Sequence, residues 1–182
     1  MLPAVMMKKP MSVLRGGCTA ALAAVLLLCA PACSKKTGGG VSMLSEKDKI
    51  YVRKTLDGMK DEVRLTLFSR DGGDCKYCGE AEGLLSDIAA AAPRVTVEIL
   101  SLKKDAARAK QLGIDKVPGI ALIGKKDYDL RYFGLPSGYD FIPFVESIRA
   151  VGDDNAGVSA ESAARLATLT KPVQLSVFVT QA

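Results

Sequence analysis

Histidine and tryptophan are absent from the sequence. Without histidine, the Ser-His-Asp and Cys-His catalytic arrangements, the zinc motifs that need histidine and haem ligation through histidine are excluded. Cysteine is also scarce, because only Cys75 and Cys78 lie beyond residue 33. A structural zinc site usually needs four Cys or His ligands, so this pair cannot complete one within a single chain. We therefore expect no metal, and we expect no cofactor.

A concentrated charge of one sign is also lacking. The formal net charge is +5, but three of the 25 basic residues, Lys8, Lys9 and Arg15, lie within the first 32 residues, where no acidic residue occurs. The remaining 22 basic residues are balanced by 20 acidic ones. Binding of nucleic acid requires a concentrated basic surface. We therefore exclude nucleic acid as a partner.

Residues 1–32 have the pattern of a secretory signal peptide. The three basic residues precede an uncharged run with an apolar centre over 20–29, and the small residues Ala30-Pro31-Ala32 follow. An uncleaved anchor helix is an alternative, but the apolar part is short for a membrane span of about 20 residues. We therefore expect cleavage after Ala32 and export of the chain.

Cleavage after Ala32 would make Cys33 the new N-terminus. This arrangement resembles a bacterial lipoprotein, although Ala30 stands where such proteins usually carry a larger aliphatic residue. We therefore predict lipidation of Cys33, which would tether the protein to a membrane on the periplasmic side. Residues 33–42 contain Gly38-Gly39-Gly40 and are predicted to form a flexible tether.

Beyond the tether, the hydrophobic periodicity predicts a first helix followed by the order βαβαββα. Ser45 and Asp48 resemble a capping box, so the first helix should begin there and end near Lys60. The next elements are strand 63–69, a helix from the thiols to Pro93, strand 95–101, helix 105–112, strands 119–124 and 130–133, and a closing helix with Phe141, Phe144, Val145, Ile148 and Val151 inward. Two crossovers and one hairpin imply an α/β fold with a four-stranded mixed sheet and helices on both faces.

Cys75 and Cys78 lie where the first predicted strand gives way to a helix. The first turn of a helix offers unpaired N–H groups and the positive end of the helix dipole, which stabilise a thiolate and lower its pKa. The spacing leaves one sulfur outward and the other within bonding distance. The pattern predicts thiol–disulfide exchange, with Lys76 favouring the Cys75 thiolate and Asp74 opposing it.

An inert structural disulfide is the alternative interpretation, because an oxidising compartment favours disulfide bonds. A bond between Cys75 and Cys78 would be a poor stabiliser, since it closes a very small loop and removes little entropy from the unfolded chain. The loop size therefore favours the redox role.

An internal repeat is visible near the end of the chain. Residues 63–69 (VRLTLFS) and 173–179 (VQLSVFV) share their alternation and the position of Phe. Each follows a helix-like segment, which for the second copy is 159–170 with Ala163, Leu166 and Ala167 expected to face inward. Chance similarity of two strands is the alternative, but the shared helix favours a truncated second unit that begins near residue 158.

The combination of Cys75-Lys76-Tyr77-Cys78, Val117-Pro118 and especially the run RYFGLPSG at 131–138 resembles the protein disulfide oxidoreductases. These are glutaredoxin-like proteins built of two tandem thioredoxin folds. The resemblance implies a thioredoxin-like domain over 43–152 and the truncated start of a second such unit over 158–182. It also implies a thiol–disulfide oxidoreductase whose partners are proteins with disulfides or dithiols, together with an unidentified redox partner.

The resemblance also implies roles for single residues. Cys75 resembles the attacking thiol and Cys78 the resolving thiol. Pro118 resembles a cis-proline that faces the dithiol, and Val117 would offer its backbone to an extended substrate. Taken alone, Pro118 would be interpreted as an ordinary proline at the start of a strand, since only about 5% of X–Pro bonds are cis in folded proteins. Tyr77 is either part of the substrate-binding surface or a packed ring.

Three features depart from the family. The second unit lacks its own thiol pair, the family is mainly intracellular whereas this chain carries an export signal, and Asp74 stands where thioredoxin itself has tryptophan. The aromatic residues Tyr132, Phe133, Phe141 and Phe144 are interpreted as core. Two rival functions remain open: a non-catalytic thioredoxin-fold binding module, and an inactive fragment of a two-unit oxidoreductase whose strand 173–179 is an unpaired hydrophobic edge.

Overall fold

The structure, a computed structural model, describes residues 42–70, 72 and 75–177. The helices are α1 (Glu46–Leu56), α2 (Cys78–Ala91), α3 (Ala106–Gln111), α4 (Phe141–Asp153) and α5 (Ala160–Ala167). The strands are β1 (Val63–Ser69), β2 (Val95–Ser101), β3 (Gly119–Ile123) and β4 (Asp127–Phe133). The predicted order βαβαββα from the first strand is confirmed, and α5 follows it.

The first helix begins where the sequence predicts and ends earlier. The Ser45 hydroxyl accepts a hydrogen bond of 3.2 Å from the Asp48 N–H, and the Asp48 carboxylate accepts one of 3.3 Å from the Ser45 N–H, which completes the capping box. The predicted end near Lys60 is wrong. Asp57 already has extended backbone angles, and Gly58 takes a φ of +67°, a left-handed conformation that favours glycine.

The four strands form one mixed sheet in the order β2-β1-β3-β4. β1 pairs with β2 in parallel, and β3 pairs antiparallel with both β1 and β4. The sheet type predicted from two crossovers and a hairpin is therefore confirmed. β4 begins at Asp127, three residues before its predicted start, because the hairpin turn is shorter than the sequence suggested.

Helices cover both faces of the sheet, since neighbouring residues of a strand point to opposite faces. Leu67 belongs to a cluster with buried residues of α1, α2 and α4, whereas Phe68 packs with Ala109 of α3 and with Ile114. Two separate apolar layers therefore hold α2 and α3 on opposite sides of β1. This arrangement fixes the start of α2, and with it the thiols, at one end of the sheet.

The start of a second unit predicted after α4 is not confirmed by the described residues. Every residue from 154 to 177 is exposed, and the expectation that Leu166 of α5 faces inward is wrong, because its side chain is 56% exposed. Ala163 and Ala167 are exposed as well. Residues 172–177 belong to neither helix nor strand. A strand requires a hydrogen-bonding partner, and no described residue forms a backbone hydrogen bond with residues 172–177.

Several sequence predictions concern residues outside the described part of the chain. These are the signal peptide at 1–32, the lipidation site Cys33, the tether at 33–42 except for Ser42, and the last part of the proposed second unit. They stay predictions. Among the described residues, no helix combines the length and the apolar character needed to span a bilayer.

Candidate active site

Cys75 and Cys78 form a disulfide bond at the head of α2. Their Cα atoms lie 5.5 Å apart, and two residues separate them in the chain. Cys75 is partly exposed, whereas Cys78 is 5% exposed and belongs to the buried face of α2. The two cysteine residues of the disulfide therefore differ in their exposure to solvent.

The start of α2 provides a positive electrostatic environment for the pair. Cys78 is the first residue of the helix and Tyr77 precedes it, with no side chain capping the helix start. The Tyr77 C=O accepts a hydrogen bond of 3.0 Å from the Ala81 N–H, which closes the first turn. The N–H groups of that turn remain without intrahelical partners, so the helix dipole favours a thiolate in the reduced state.

Lys76 and Tyr77, the two residues between the thiols, are both exposed. The Lys76 ammonium nitrogen lies 4.9 Å from the centroid of the Tyr77 ring, within the range of a cation–π contact. The Tyr77 side chain, and to a smaller degree the Glu80 carboxylate, raises the pKa of Lys76. Lys76 is therefore a fixed positive charge beside the dithiol. Asp74 lies outside the described residues.

The Val117–Pro118 peptide bond is cis, and Pro118 is buried. Gly119 begins β3 and pairs with Phe68 near the end of β1. The antiparallel register therefore brings Pro118 to the end of the sheet from which the chain continues to Cys75. The two motifs, far apart in sequence, share this end because β3 runs antiparallel to β1.

Val117 presents an open backbone at this place. Its side chain packs against the apolar cluster around Phe68 and Ile114. Its N–H and C=O make no backbone hydrogen bond to any other described residue, whereas the Pro118 C=O accepts one of 2.9 Å from the Gly134 N–H. The free donor and acceptor of Val117 are suited to pair with an extended polypeptide.

Two further residues, Arg131 and Gly119, lie close to the chain between the end of α3 and Val117, and the sequence analysis gave neither a role there. Arg131, with a side chain only 10% exposed, donates a hydrogen bond of 2.5 Å to the Leu112 C=O and forms an ion pair of 2.6 Å with Asp127. A Cβ on Gly119 would lie 2.6 Å from the Lys116 C=O and 2.7 Å from the Ile114 side chain. From the sequence, the glycine that directly follows Val117-Pro118 could have indicated that another part of the backbone approaches closely here.

The aromatic residues of the 131–144 region are only partly core. Phe141 and Phe144 are buried, and Tyr132 is half-buried with its ring edge-on to Phe144 at 5.5 Å. Phe133 is 45% exposed, so its assignment to the core is wrong. The reason is its place at the end of β4, an edge strand that neither apolar layer covers completely. Tyr77, left open by the sequence, is 44% exposed.

The described residues also form a groove away from the thiols. A groove of about 510 Å³ lies between the C-terminal ends of α1 and α2, lined by Arg53, Asp57 and Arg94 among others, and is therefore at the far end of α2 from the thiols. Within the described residues, no group of three or more Cys, Asp or Glu side chains is placed to hold a metal ion.

The fold is that of solved proteins with low sequence identity. A protein disulfide oxidoreductase from Aeropyrum pernix superposes with a TM-score of 0.61 at 22% identity, over 71% of this chain and 56% of that one. The N-terminal domain of the alkylhydroperoxide reductase AhpF from Enterococcus faecalis superposes with a TM-score of 0.62 at 19% identity, over 70% of this chain and 62% of that one. This chain thus matches less than two thirds of either structure.

These likenesses establish that the chain has a thioredoxin fold, as the resemblance implied. No protein-family model matches the sequence, and no curated protein matches it. The assignment of roles to single residues therefore depends on the geometry of the site.

Proposed function

We propose that this protein is an exported thiol–disulfide oxidoreductase that exchanges disulfides with protein substrates through Cys75 and Cys78. The observation that supports this function is the asymmetric disulfide at the start of α2, where the partly exposed Cys75 is bonded to the buried Cys78. An inert bridge with so small a loop would stabilise the fold little. One structural relative is itself a protein disulfide oxidoreductase, which agrees with the proposal.

In the reducing direction, the Cys75 thiolate attacks one sulfur of a substrate disulfide. The substrate S–S bond breaks, a mixed disulfide forms, and the departing substrate thiolate takes up a proton. The Cys78 thiolate then attacks the Cys75 sulfur, which forms the Cys75–Cys78 bond and releases the second substrate thiol. The substrate gains two electrons and the protein loses two. The same steps in reverse oxidise a substrate dithiol.

The surroundings of the pair support each of these steps. The start of α2 lies next to Cys75 in the chain, and its dipole favours a thiolate there; Lys76, the next residue, adds an exposed positive charge. Burial keeps Cys78 away from solvent and from competing thiols until the mixed disulfide has formed. The open N–H and C=O of Val117 provide a place for an extended substrate segment. Tyr77, exposed between the thiols, belongs to the proposed substrate-binding surface.

The test is reduction of insulin with dithiothreitol as the electron donor. We expect Cys75→Ser to abolish the catalysed rate. Cys78→Ser should instead accumulate mixed disulfides that are visible on a non-reducing gel. Cys33→Ser, which changes a cysteine outside the site, is the matched control and should retain full activity. Unchanged turnover in Cys75→Ser would rule out the mechanism.

The proposed location is the periplasmic side of a membrane, through lipidation of Cys33. Its support is the basic, apolar and small-residue pattern of residues 1–33. Metabolic labelling with a radioactive fatty acid in a bacterial host tests it. We expect label in the wild-type chain and none in Cys33→Ser. A chain that stays in the cytoplasm at full length would refute both export and lipidation.

A further inference from the structure

On the outer side of the edge strand β2, no other described strand pairs with the backbone. The Leu102 N–H donates to the Ser69 C=O and the Val63 N–H donates to the Arg94 C=O, both at 2.9 Å. Along a strand, successive residues direct their backbone groups alternately toward opposite sides. The even-numbered residues of β2 therefore face β1, and the N–H and C=O groups of Val97 and Ile99 point away from the sheet.

The open part of this edge is short because both ends are closed locally. The Val95 N–H donates to the Ala92 C=O at 3.0 Å. At the other end, the Ser101 N–H donates to the Asp105 carboxylate at 2.9 Å, and the Ser101 C=O accepts from the Asp105 N–H at 2.8 Å. The free groups thus extend from the Val95 C=O to the Ile99 C=O, which is room for a strand of about five residues.

The opposite edge of the sheet is protected against pairing, and β2 is not. β4 contains Asp127, Asp129 and Arg131, Asp129 has a φ of +60°, and the pairing of β3 with β4 is irregular. Charged residues and irregularities of this kind prevent addition of a further strand. β2 has a regular register, Glu98 as its only charged residue, and an Ile99 side chain that is 48% exposed.

The tail that follows α5 has the composition of the missing strand. Val173, Leu175 and Val177 alternate with Gln174 and Ser176, and the three apolar side chains are 71%, 85% and 74% exposed. Residues 173–177 also repeat residues 63–67 of β1, the strand with which β2 already pairs on its inner side. The tail is thus a second copy of the natural partner of β2.

We propose that residues 173–177 of one chain add to the outer edge of β2 in a second copy of the same chain. β1 aligns Val63 with Val95, so the repeat aligns Val173 with Val95, Leu175 with Val97 and Val177 with Ile99. In this parallel register Leu175 and Val177 lie on the face of Ile99 and cover its exposed side chain. The result is a five-stranded sheet.

The register also satisfies the free backbone groups. Gln174, opposite Thr96, donates its N–H to the Val95 C=O and accepts from the Val97 N–H. Ser176, opposite Glu98, donates its N–H to the Val97 C=O and accepts from the Ile99 N–H. The side chains match as well, because Thr66 of β1 already donates a hydrogen bond of 3.1 Å to Glu98, and Ser176 is the repeat of Thr66.

A second copy is the occupant because the tail leaves its own domain. Every residue from 154 to 177 is exposed, so the tail does not pack on the sheet from which it extends. Two copies that exchange tails satisfy both edges at once, and the exchange closes as a twofold dimer. The reciprocal exchange doubles the number of hydrogen bonds and of covered apolar side chains.

The test uses the full chain in reducing buffer, so that no disulfide joins two molecules. Light scattering should give twice the mass of one chain, as mass spectrometry measures it for the same purified sample. Leu175→Lys should reduce the mass to that of a single chain, because it places a charge beside Val97. The matched control is Leu166→Lys in α5, an exposed leucine outside the register, which should leave the dimer unchanged. Ile99→Lys, on the receiving strand, should also give a monomer.

Hydrogen exchange identifies the contact itself. In the wild-type chain the amides of Val97 and Ile99 should exchange about tenfold or more slowly than in Leu175→Lys. A wild-type chain that is monomeric overturns the proposal. This holds even if the Val97 and Ile99 amides are protected in the monomer, because the tail would then pair with β2 of its own chain. A dimer that survives Leu175→Lys, or an assembly larger than a dimer, overturns it as well.

Discussion

The N–H of Gly134, directly after β4, donates a hydrogen bond of 2.9 Å to the C=O of Pro118, directly before β3. Gly134 has a φ of +116°, a conformation that residues with side chains rarely adopt. This bond engages the Pro118 carbonyl within the fold, whereas the neighbouring Val117 makes no backbone hydrogen bond to another described residue. The end of β4 is therefore hydrogen-bonded to the residue that directly precedes β3.

Because the chain packs closely around Gly119 but not around Gly79, we expect a change to alanine to have opposite effects on stability at these two positions. Gly119→Ala should lower the free energy of unfolding by about 1–3 kcal/mol, because its Cβ meets a backbone carbonyl and Ile114. Gly79→Ala is the matched control, because nothing lies within 4 Å of a Cβ there and alanine favours a helix. Urea unfolding measures both. Equal effects at the two positions would contradict the crowding of the loop.

We expect the loss of the Arg131 contacts to lower the free energy of unfolding more than the loss of an exposed ion pair. Arg131→Met should lower the free energy of unfolding by about 1.5–3 kcal/mol, because it leaves the Leu112 C=O and the Asp127 carboxylate without their charged donor. Arg165→Met removes an ion pair whose two side chains are 80% and 77% exposed, so its effect should stay below about 1 kcal/mol. Similar losses in both variants, compared by thermal unfolding, would argue against an anchoring role for Arg131.

We expect ionisation of the Tyr132 phenol to destabilise the fold at alkaline pH. Burial, followed by the hydrogen bond to Asp140, raises the pKa of its phenol from 10.0 to about 12. Because the folded pKa exceeds the unfolded one, this contribution to stability is complete below pH 10.0 and is lost as the pH rises toward 12. In Tyr132→Phe, the free energy of unfolding should therefore fall less between about pH 9 and about pH 11.5 than in the wild-type chain.

The control for this pH dependence is Tyr139→Phe, because Tyr139 is 76% exposed. Tyr139→Phe should follow the wild-type profile, measured as urea unfolding at each pH. Parallel profiles for wild type and Tyr132→Phe would show that the Tyr132 phenol does not stabilise the fold.

The unequal burial of the thiols predicts unequal reactivity after reduction. At neutral pH, iodoacetamide should modify Cys75 on the order of tenfold faster than Cys78, since Cys75 is partly exposed and Cys78 is 5% exposed. Mass spectrometry of the peptides measures the ratio. In concentrated urea the two rates should converge, because the fold creates the difference. Equal rates in the folded protein would remove the distinction between an attacking and a resolving thiol.

The sequence was sufficient for features that depend on local periodicity. Alternation over 63–69 and 95–101 predicted β1 and β2 with their observed bounds, and the position of Cys78 at the start of a helix followed from the change of period. The capping box of Ser45 and Asp48 is equally local. These signals were reliable because neighbouring residues alone determine them.

Tertiary packing decided the features that local signals do not carry. Phe133 is apolar yet 45% exposed because it ends an edge strand, and Leu166 has helical spacing yet is 56% exposed because no sheet lies beneath α5. The open backbone of Val117 and the anchoring contact of Arg131 arise only when β3 and β4 pair.

The amino-acid sequence by itself determined the strands β1 and β2, the start of a helix at Cys78 and the two residues that supply the sulfur atoms. The tertiary structure decided which cysteine is the more exposed, which loop lies at the same end of the sheet and which strand edge stays open among the described residues. The physical reason is that exposure and pairing are properties of the register between strands. Residues far apart in the chain set that register together.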